Sequence, residues 1–233
     1  MNRIPTAKEM SSNLAHLSNL LCQEELIQPD SKVYLDGAIG MLRKLGRLQS
    51  WKYTIEASEP IDFVPIAGKK LEQIAPRLYL TVAVKPQARS ELPPFTRLVT
   101  VIEVWDILKN ELQSRWHLDL ANRKEDGSYQ AGPLFHLQGG GHQPRSHRKE
   151  ELKVSIPRWT TPPMELILTC EMIIANFYPD KWEKISTQKK WLELIHAAQQ
   201  LCYPVYFQRV QNCLSSGGRR QSVLKTLWAK EWG

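Results

Sequence analysis

The sequence predicts an α+β fold in one domain, with an antiparallel meander of strands flanked by helices at both ends of the chain. Apolar residues recur at helical spacing near the start, alternate with polar residues through the middle, and return to helical spacing in the last third. A run of strands followed by a run of helices is typical of α+β proteins rather than of alternating α/β proteins. Within the single domain 1–233 we therefore predict a helical pair in 1–50, an antiparallel sheet in 51–138 and a helical part in 162–233.

Two antiparallel helices are expected first, over 7–27 and 32–49. Leucines such as Leu14 and Leu21 follow helical spacing in the first segment. Pro29, Asp30 and Ser31 then break the chain and can cap the second helix, so the two helices should be joined by a short turn.

Alternating and β-branched segments predict the strands of the meander. They cover 51–57, 61–66, 77–85, 96–105, 115–123 and 133–138. Residues 105–113 fit either a helical turn or an extension of the strand before them. Asp126-Gly127 is a hairpin signal. Regular pairing about that turn places His117 opposite His136, although a bulge at 131–133 leaves the register open.

The last third of the chain predicts three helical segments. Pro162-Pro163 suits the start of a helix over 163–178, and its apolar face is so broad that we expect it to be the most buried helix. A second segment covers 187–214, which Pro204 should kink or split. A short basic helix is expected over 219–232.

Composition limits the class of protein. Apolar residues make up 42% of the chain, which is ordinary for a globular protein. No apolar run reaches the roughly 18 residues that span a bilayer, and the first residues lack a signal-peptide core, so we expect a protein of the bacterial cytoplasm without a membrane partner. The four cysteines contain no CxxC pair, which predicts buried free thiols and neither a structural zinc nor another cofactor.

Positive charge is concentrated in the second half. Of the formal net charge of +7, residues 139–233 carry +6, from 14 Lys and Arg against 8 Asp and Glu. Such a surface can attract nucleic acid or an acidic protein partner, or it can be an ordinary solvated surface. The candidate nucleic-acid-binding residues are Arg145, Arg148, Lys149, Lys153, Arg158, Arg219 and Arg220.

A group of histidines near three glycines supplies the candidate catalytic residues, His117, Asp119 and His136. Strand alternation puts His117 and Asp119 on one face, and His136 shares a face with Gln138. If the two faces coincide, these groups converge beside Gly139, where they can transfer protons or bind a metal. No metal-binding spacing is present, and the glycines lack the Gly-Lys-Ser/Thr end of a phosphate loop, so they are expected to be a strand exit.

Eight tryptophans are spread along the chain, and several follow a basic residue, as Trp159 follows Arg158. Such pairs can stack bases and hold phosphates. Trp51, Trp105 and Trp191 are expected instead to be core residues.

Part of the chain, 133–182, resembles an uncharacterised bacterial family, a domain of unknown function that occurs beside mobile elements and anti-phage genes. The matching residues are His136, Leu137, Gly139, Ile156, Pro157, Arg158, Pro163, Asn176, Phe177 and Tyr178. This resemblance covers about a fifth of the chain. It implies an accessory role in defence and no established chemistry.

The segment Trp159-Thr160-Thr161-Pro162-Pro163 also resembles the Trp-x-x-Pro segment of ubiquitin-conjugating enzymes. Their nucleophilic cysteine should lie between the histidine segment and that tryptophan, but residues 137–169 contain no cysteine, so the resemblance implies at most a non-catalytic adaptor. Our leading hypothesis is a non-enzymatic accessory binding protein. The alternatives are an enzyme that uses the His/Asp group, with or without a metal, and the adaptor.

Overall fold

The computed structural model describes residues 4–67, 73–87, 89, 91–140, 157–215 and 221–232. It confirms the α+β class, with an N-terminal helical pair, an antiparallel sheet and C-terminal helices. The helices are α1 (Ala7–Gln23), α2 (Pro29–Leu45), α3 (Leu166–Phe177), α4 (Pro179–Ile185), α5 (Lys189–Cys202), α6 (Pro204–Ser215) and α7 (Val223–Thr226). The strands are β1 (Trp51–Ile55), β2 (Ile61–Asp62), β3 (Ile66–Ala67), β4 (Gln73–Val84), β5 (Phe95–Asp106), β6 (Glu111–Leu120), β7 (Phe135–Gly139) and β8 (Arg158–Thr160).

Every pairing in the sheet is antiparallel, in the order β1-β4-β5-β6-β7-β8, with β2 and β3 also paired to β4. In the segment 105–113, for which a strand extension or a helical turn was expected, β5 continues to Asp106 and a turn then leads into β6. The short strand β8 continues the sheet beyond 138, where no strand was predicted.

The regular pairing that would place His117 opposite His136 does not occur, and the register left open by the sequence is a different one. Asp119 lies opposite His136, and His117 lies opposite Gln138. The chain does turn at Asp126-Gly127, since Gly127 donates to the Lys124 carbonyl and Arg123 forms a bridge with Tyr129. After this turn, residues 131–133 have no counterpart on the β6 side, and this insertion, at the position of the expected bulge, sets the register of β6 and β7.

One face of the sheet packs against the helices. Along β4, the alternate residues Leu78, Leu80, Val82 and Val84 are buried in the main core. Seven of the twelve residues of α3 are also buried there, a larger fraction than in α1 or α5. This agrees with the prediction that this helix is the most buried one.

Local capping explains where the helices begin. Thr6 and Glu9 form a capping box at the start of α1. Pro29 is itself the first residue of α2, because its missing N–H is not needed in the first turn. The helix predicted from 163 begins at Leu166, since the Glu165 side chain accepts hydrogen bonds from the backbone N–H groups of Ile167 and Leu168.

Pro204 splits the predicted long helix, and α5 ends at Cys202 before α6 begins. The predicted helix over 219–232 is wrong as a continuous helix. Within the described part, α7 has four residues, and a 3-10 turn follows at Ala229–Trp232. This end of the chain is held by backbone bonds, because Leu134 donates to Leu227 and Ala229 donates to Gly132. Those tertiary bonds replace the helical ones.

Two of the three tryptophans predicted in the core are there, since Trp51 and Trp191 are buried. Trp105 is half-buried, and its indole N–H donates to Glu103. All four cysteines are free thiols, and of these Cys170 and Cys202 are buried. Among the described residues, no helix combines the length and the apolarity needed to cross a membrane.

A candidate binding cleft on the second face of the sheet

The sheet face that points away from the main core carries polar side chains in cross-strand rows. The strand register defines three rows: Thr81, Val99, Asp119, His136 and Thr160; Tyr79, Val101, His117, Gln138 and Arg158; and Arg77, Glu103 and Arg115. Because side chains alternate along each strand, all of these residues share this face, which we call the second face.

The first two rows meet in a cleft of about 320 Å³ near the β8 edge of the sheet. Its lining residues are His117, Asp119, Leu120, Asn122, Gln130, His136, Gln138 and Arg158. The structure thus brings together all three candidate catalytic residues and one of the candidate nucleic-acid-binding residues. Only the pairing within the group differs from the predicted one.

Asp119 is the acidic group of the cleft. Burial raises the pKa of its carboxyl to about 6, although the Thr100 backbone N–H and the charge of Arg158 act in the opposite direction. Its Oδ2 atom lies 3.7 Å from Nδ1 of His117. Its Oδ1 atom is buried without a hydrogen-bond partner among the described residues. Asp119 therefore has acceptor capacity left for a ligand.

His136 faces Asp119 across the strand pair and is only 3% exposed. Burial and the nearby charge of Arg158 lower the pKa of its imidazole to about 4, so the ring is neutral at neutral pH. Its Nδ1 atom is buried and has no hydrogen-bond partner among the described residues. A neutral imidazole can donate or accept one hydrogen bond at such an atom, depending on its tautomer.

Arg158 brings positive charge to this cleft. Its backbone pairs with Gln138, and its guanidinium donates to the Ala131 carbonyl at 3.2 Å. A guanidinium has five N–H donors, so this one bond leaves others for a ligand. The other candidate nucleic-acid-binding residues, Arg145, Arg148, Lys149, Lys153, Arg219 and Arg220, lie outside the described residues.

Glu103 of the third row is the centre of a neighbouring polar cluster. Tyr79 donates to Glu103 at 3.1 Å and accepts from Arg115, which also lies 3.3 Å from the same carboxylate. Trp105 donates to the second oxygen of Glu103 at 2.9 Å. Both carboxylate oxygens of Glu103 therefore accept hydrogen bonds within the second face, and the cleft is the better candidate for a ligand.

Sequence reasoning missed Asn122, Gln130 and the position of Arg158 beside the histidines. Arg158 lies there because of β8, whose three residues are too few to show alternation. Asn122 lies in the predicted strand segment 115–123 but just past the end of β6, and Gln130 lies in the connection that follows, so neither was recognised as facing the histidines. In the part of the chain that is described, no three His, Cys, Asp or Glu side chains are arranged to hold a metal ion.

No protein-family model, curated protein or solved structure matches the chain significantly. Its function must therefore be argued from the residues of the cleft and from their surroundings.

Proposed function

We propose that this protein is a cytoplasmic, non-enzymatic accessory protein that binds single-stranded nucleic acid in the cleft of the second face. The observation that carries the proposal is the position of Arg158 in the same cleft as the unsatisfied polar atoms of Asp119 and His136. A role in bacterial defence or in a mobile element, which the family resemblance implies, belongs to the same proposal.

A nucleotide has the two kinds of polar group that this cleft accommodates. Its phosphate accepts charge-assisted hydrogen bonds of the kind that Arg158 donates. Its ribose hydroxyls and base N–H groups are donors, which the partly exposed carboxylate of Asp119 can accept. Because Asp119 is mostly ionised at neutral pH, we place the phosphate at the Arg158 end and the donors at the Asp119 end.

An exposed tryptophan follows Arg158 in the chain, but strand alternation directs its side chain to the other face of the sheet from the cleft. Trp159 follows Arg158 on the edge strand β8, and 67% of its surface is exposed. A base can stack on such an indole whatever its identity. A strand held at Arg158 would have to cross the β8 edge to stack a base on Trp159, and such stacking requires bases that are not paired in a duplex. The phosphate contact with Arg158 adds affinity with little base preference.

The test measures fluorescence anisotropy of labelled single-stranded RNA and DNA over a range of salt concentrations. Wild-type protein should bind at low salt, and each phosphate contact should add about 0.7 to the slope of log affinity against log salt. Arg158→Ala should weaken binding about tenfold and lower that slope. Arg43→Ala, which removes the same charge from an exposed position on α2, is the matched control.

Absence of binding to RNA and DNA at low salt would reject the nucleic-acid proposal. The acidic protein partner would then become the better candidate. If Arg158→Ala leaves the slope of log affinity against log salt unchanged, nucleic acid binds elsewhere, for instance at Arg145, Arg148 and Lys149. Joint replacement of these three residues by alanine should then lower affinity for all sequences alike.

An enzymatic function is the second candidate, and the contact between His117 and Asp119 favours it. A carboxylate 3.7 Å from an imidazole can orient the ring and stabilise its charged form, as in acid–base catalysis. Cleavage of the labelled strands should then be lost in Asp119→Asn and in His136→Asn. His196→Asn, on an exposed face of α5, should retain it.

A further inference from the structure

A second surface lies at the opposite edge of the sheet, between α2 and β1. It is a groove of about 590 Å³, lined on the helix side by residues such as Val33, Gly37 and Met41 and on the strand side by Lys52–Glu56. We call it the edge groove. It shares no residue with the cleft of the second face, so a ligand could occupy it whether or not the cleft binds nucleic acid.

One wall of the edge groove is a strand edge. In the strand order, β1 is terminal and pairs only with β4 among the described strands. In an antiparallel pair, every second residue directs its N–H and C=O away from the partner strand. Along β1 none of these outward groups has a backbone partner among the described residues.

The chain does cover the same sheet edge a few residues further on. At β2, the Asp62 backbone N–H donates to the Ser31 hydroxyl, and Gln28 donates to the Asp62 carbonyl. Ile27 also forms a bridge with Phe63. The start of α2 therefore closes the edge beside β2, and the rest of α2 leaves it open beside β1.

The other wall of the edge groove is an apolar stripe on α2. Val33, Gly37 and Met41 are spaced four residues apart, so they follow one face of the helix. Val33 is 66% exposed and Met41 is 45% exposed. A Cβ atom placed on Gly37 would meet no other atom within 4 Å, so the space above this glycine is empty.

Exposed charges lie at both ends of the groove. Lys44, near the end of α2, and Lys52, near the start of β1, lie at one end, while Glu56 and Glu59 lie at the other. A ligand that follows the groove therefore meets positive charge at one end and negative charge at the other. An acidic group at the end of the ligand that lies beside Lys44 and Lys52 would fix the direction of the ligand in the groove.

We propose that the edge groove binds an extended peptide segment of a partner protein, which adds to β1 as an antiparallel strand. The backbone of the peptide satisfies the outward groups of β1, and its alternate side chains contact the apolar stripe. Its carboxyl-terminal end carries acidic residues, because that end of an antiparallel strand lies beside Lys52.

The test begins with selection of a displayed library of random octapeptides on the full chain. We expect enrichment of peptides in which apolar residues alternate with polar ones and acidic residues lie at the carboxyl-terminal end. An enriched peptide is then synthesised with a fluorescent label, and its affinity is measured by anisotropy. Hydrogen exchange should show slower exchange of the β1 amides in the complex.

Gly37→Leu is the blocking variant. It fills the empty space over the groove, and because leucine favours helix more than glycine does, it should not lower the melting temperature. We expect peptide affinity to fall about tenfold or more. Gly40→Leu is the matched control, since Gly40 lies on the same helix, also has empty space above it and does not line the groove.

Three results would overturn the proposal. One is a library selection without alternating peptides, and another is equal binding to Gly37→Leu and wild type. The third is a dimer in analytical ultracentrifugation that Gly37→Leu dissociates, because a second copy of this chain would then occupy the groove. Loss of nucleic-acid binding in Arg158→Ala would concern only the cleft, and peptide binding in the edge groove should be the same in that variant as in wild type.

Discussion

Glu165 under the helices is fully buried and Asp119 on the second face is partly buried, and the two carboxyl groups differ in how their hydrogen bonds are used. The Glu165 carboxylate accepts from the backbone N–H groups of Ile167 and Leu168 and from the Tyr53 hydroxyl. The Oδ1 atom of Asp119 has no hydrogen-bond partner among the described residues. Glu165 is thus used for structure, as Glu103 is on the second face, whereas Asp119 keeps an unused acceptor.

This difference separates a structural acid from a candidate ligand-binding one. Burial raises the pKa of Glu165 to about 7, which exceeds the value of about 6 for Asp119. The size of a pKa shift therefore does not identify a binding site. Unused hydrogen-bonding capacity beside other converging polar groups is the better guide, because a buried acceptor without a partner is costly unless a ligand satisfies it.

The largest effect should come from packing on the helical side. Leu168→Ala removes a buried side chain of α3 and should lower the free energy of unfolding by about 2–5 kcal/mol, through lost burial and the cavity that remains. Chemical denaturation measures this change. The same substitution at Leu192, which is 52% exposed, should change stability by less than about 0.5 kcal/mol. Equal effects at both positions would contradict the burial of α3.

Glu165→Gln tests the structural acid. Because the folded-state pKa is raised, the folded protein holds a proton that the unfolded chain releases, and stability should fall as pH rises from about 4.5 through 7. The loss between pH 5 and 8 should be about 2–3 kcal/mol. Glutamine keeps the capping oxygen and cannot ionise, so denaturation midpoints of the variant should depend less on pH. Glu183→Gln on the exposed face of α4 should leave the wild-type slope intact.

Asp119→Asn should give a smaller change in the same direction. Its pKa is also raised, so the wild-type carboxylate destabilises the folded protein as pH rises from about 4 to 6. We expect the variant to be more stable than wild type at pH 7 by about 1–2 kcal/mol, measured by chemical denaturation, which is less than the pKa shift alone implies because the carboxyl is 22% exposed to water. A variant less stable than wild type would show that Asp119 is structural, as Glu165 is, and would remove the contrast between the two acids.

Periodicity alone was enough to predict the α+β class, the order of strands and helices, the burial of α3 and the break at Pro204. These features follow from local patterns, since alternate residues of a strand share a face and proline removes a helical hydrogen bond. The same alternation predicted that His117 shares a face with Asp119 and that His136 shares a face with Gln138. It did not predict which of them lie opposite each other.

Tertiary structure decided that register, because residues 131–133 are inserted after the Asp126-Gly127 turn and the sequence left the effect of this bulge open. It also placed Arg158 in the cleft through β8, a strand too short to be visible in the sequence. The conformation of residues 227–232 was also decided by tertiary structure, through the backbone hydrogen bonds of Leu227 and Ala229 to Leu134 and Gly132. For Arg158 and for residues 227–232, the deciding contacts join residues far apart in the chain, and local periodicity contains no information about such contacts.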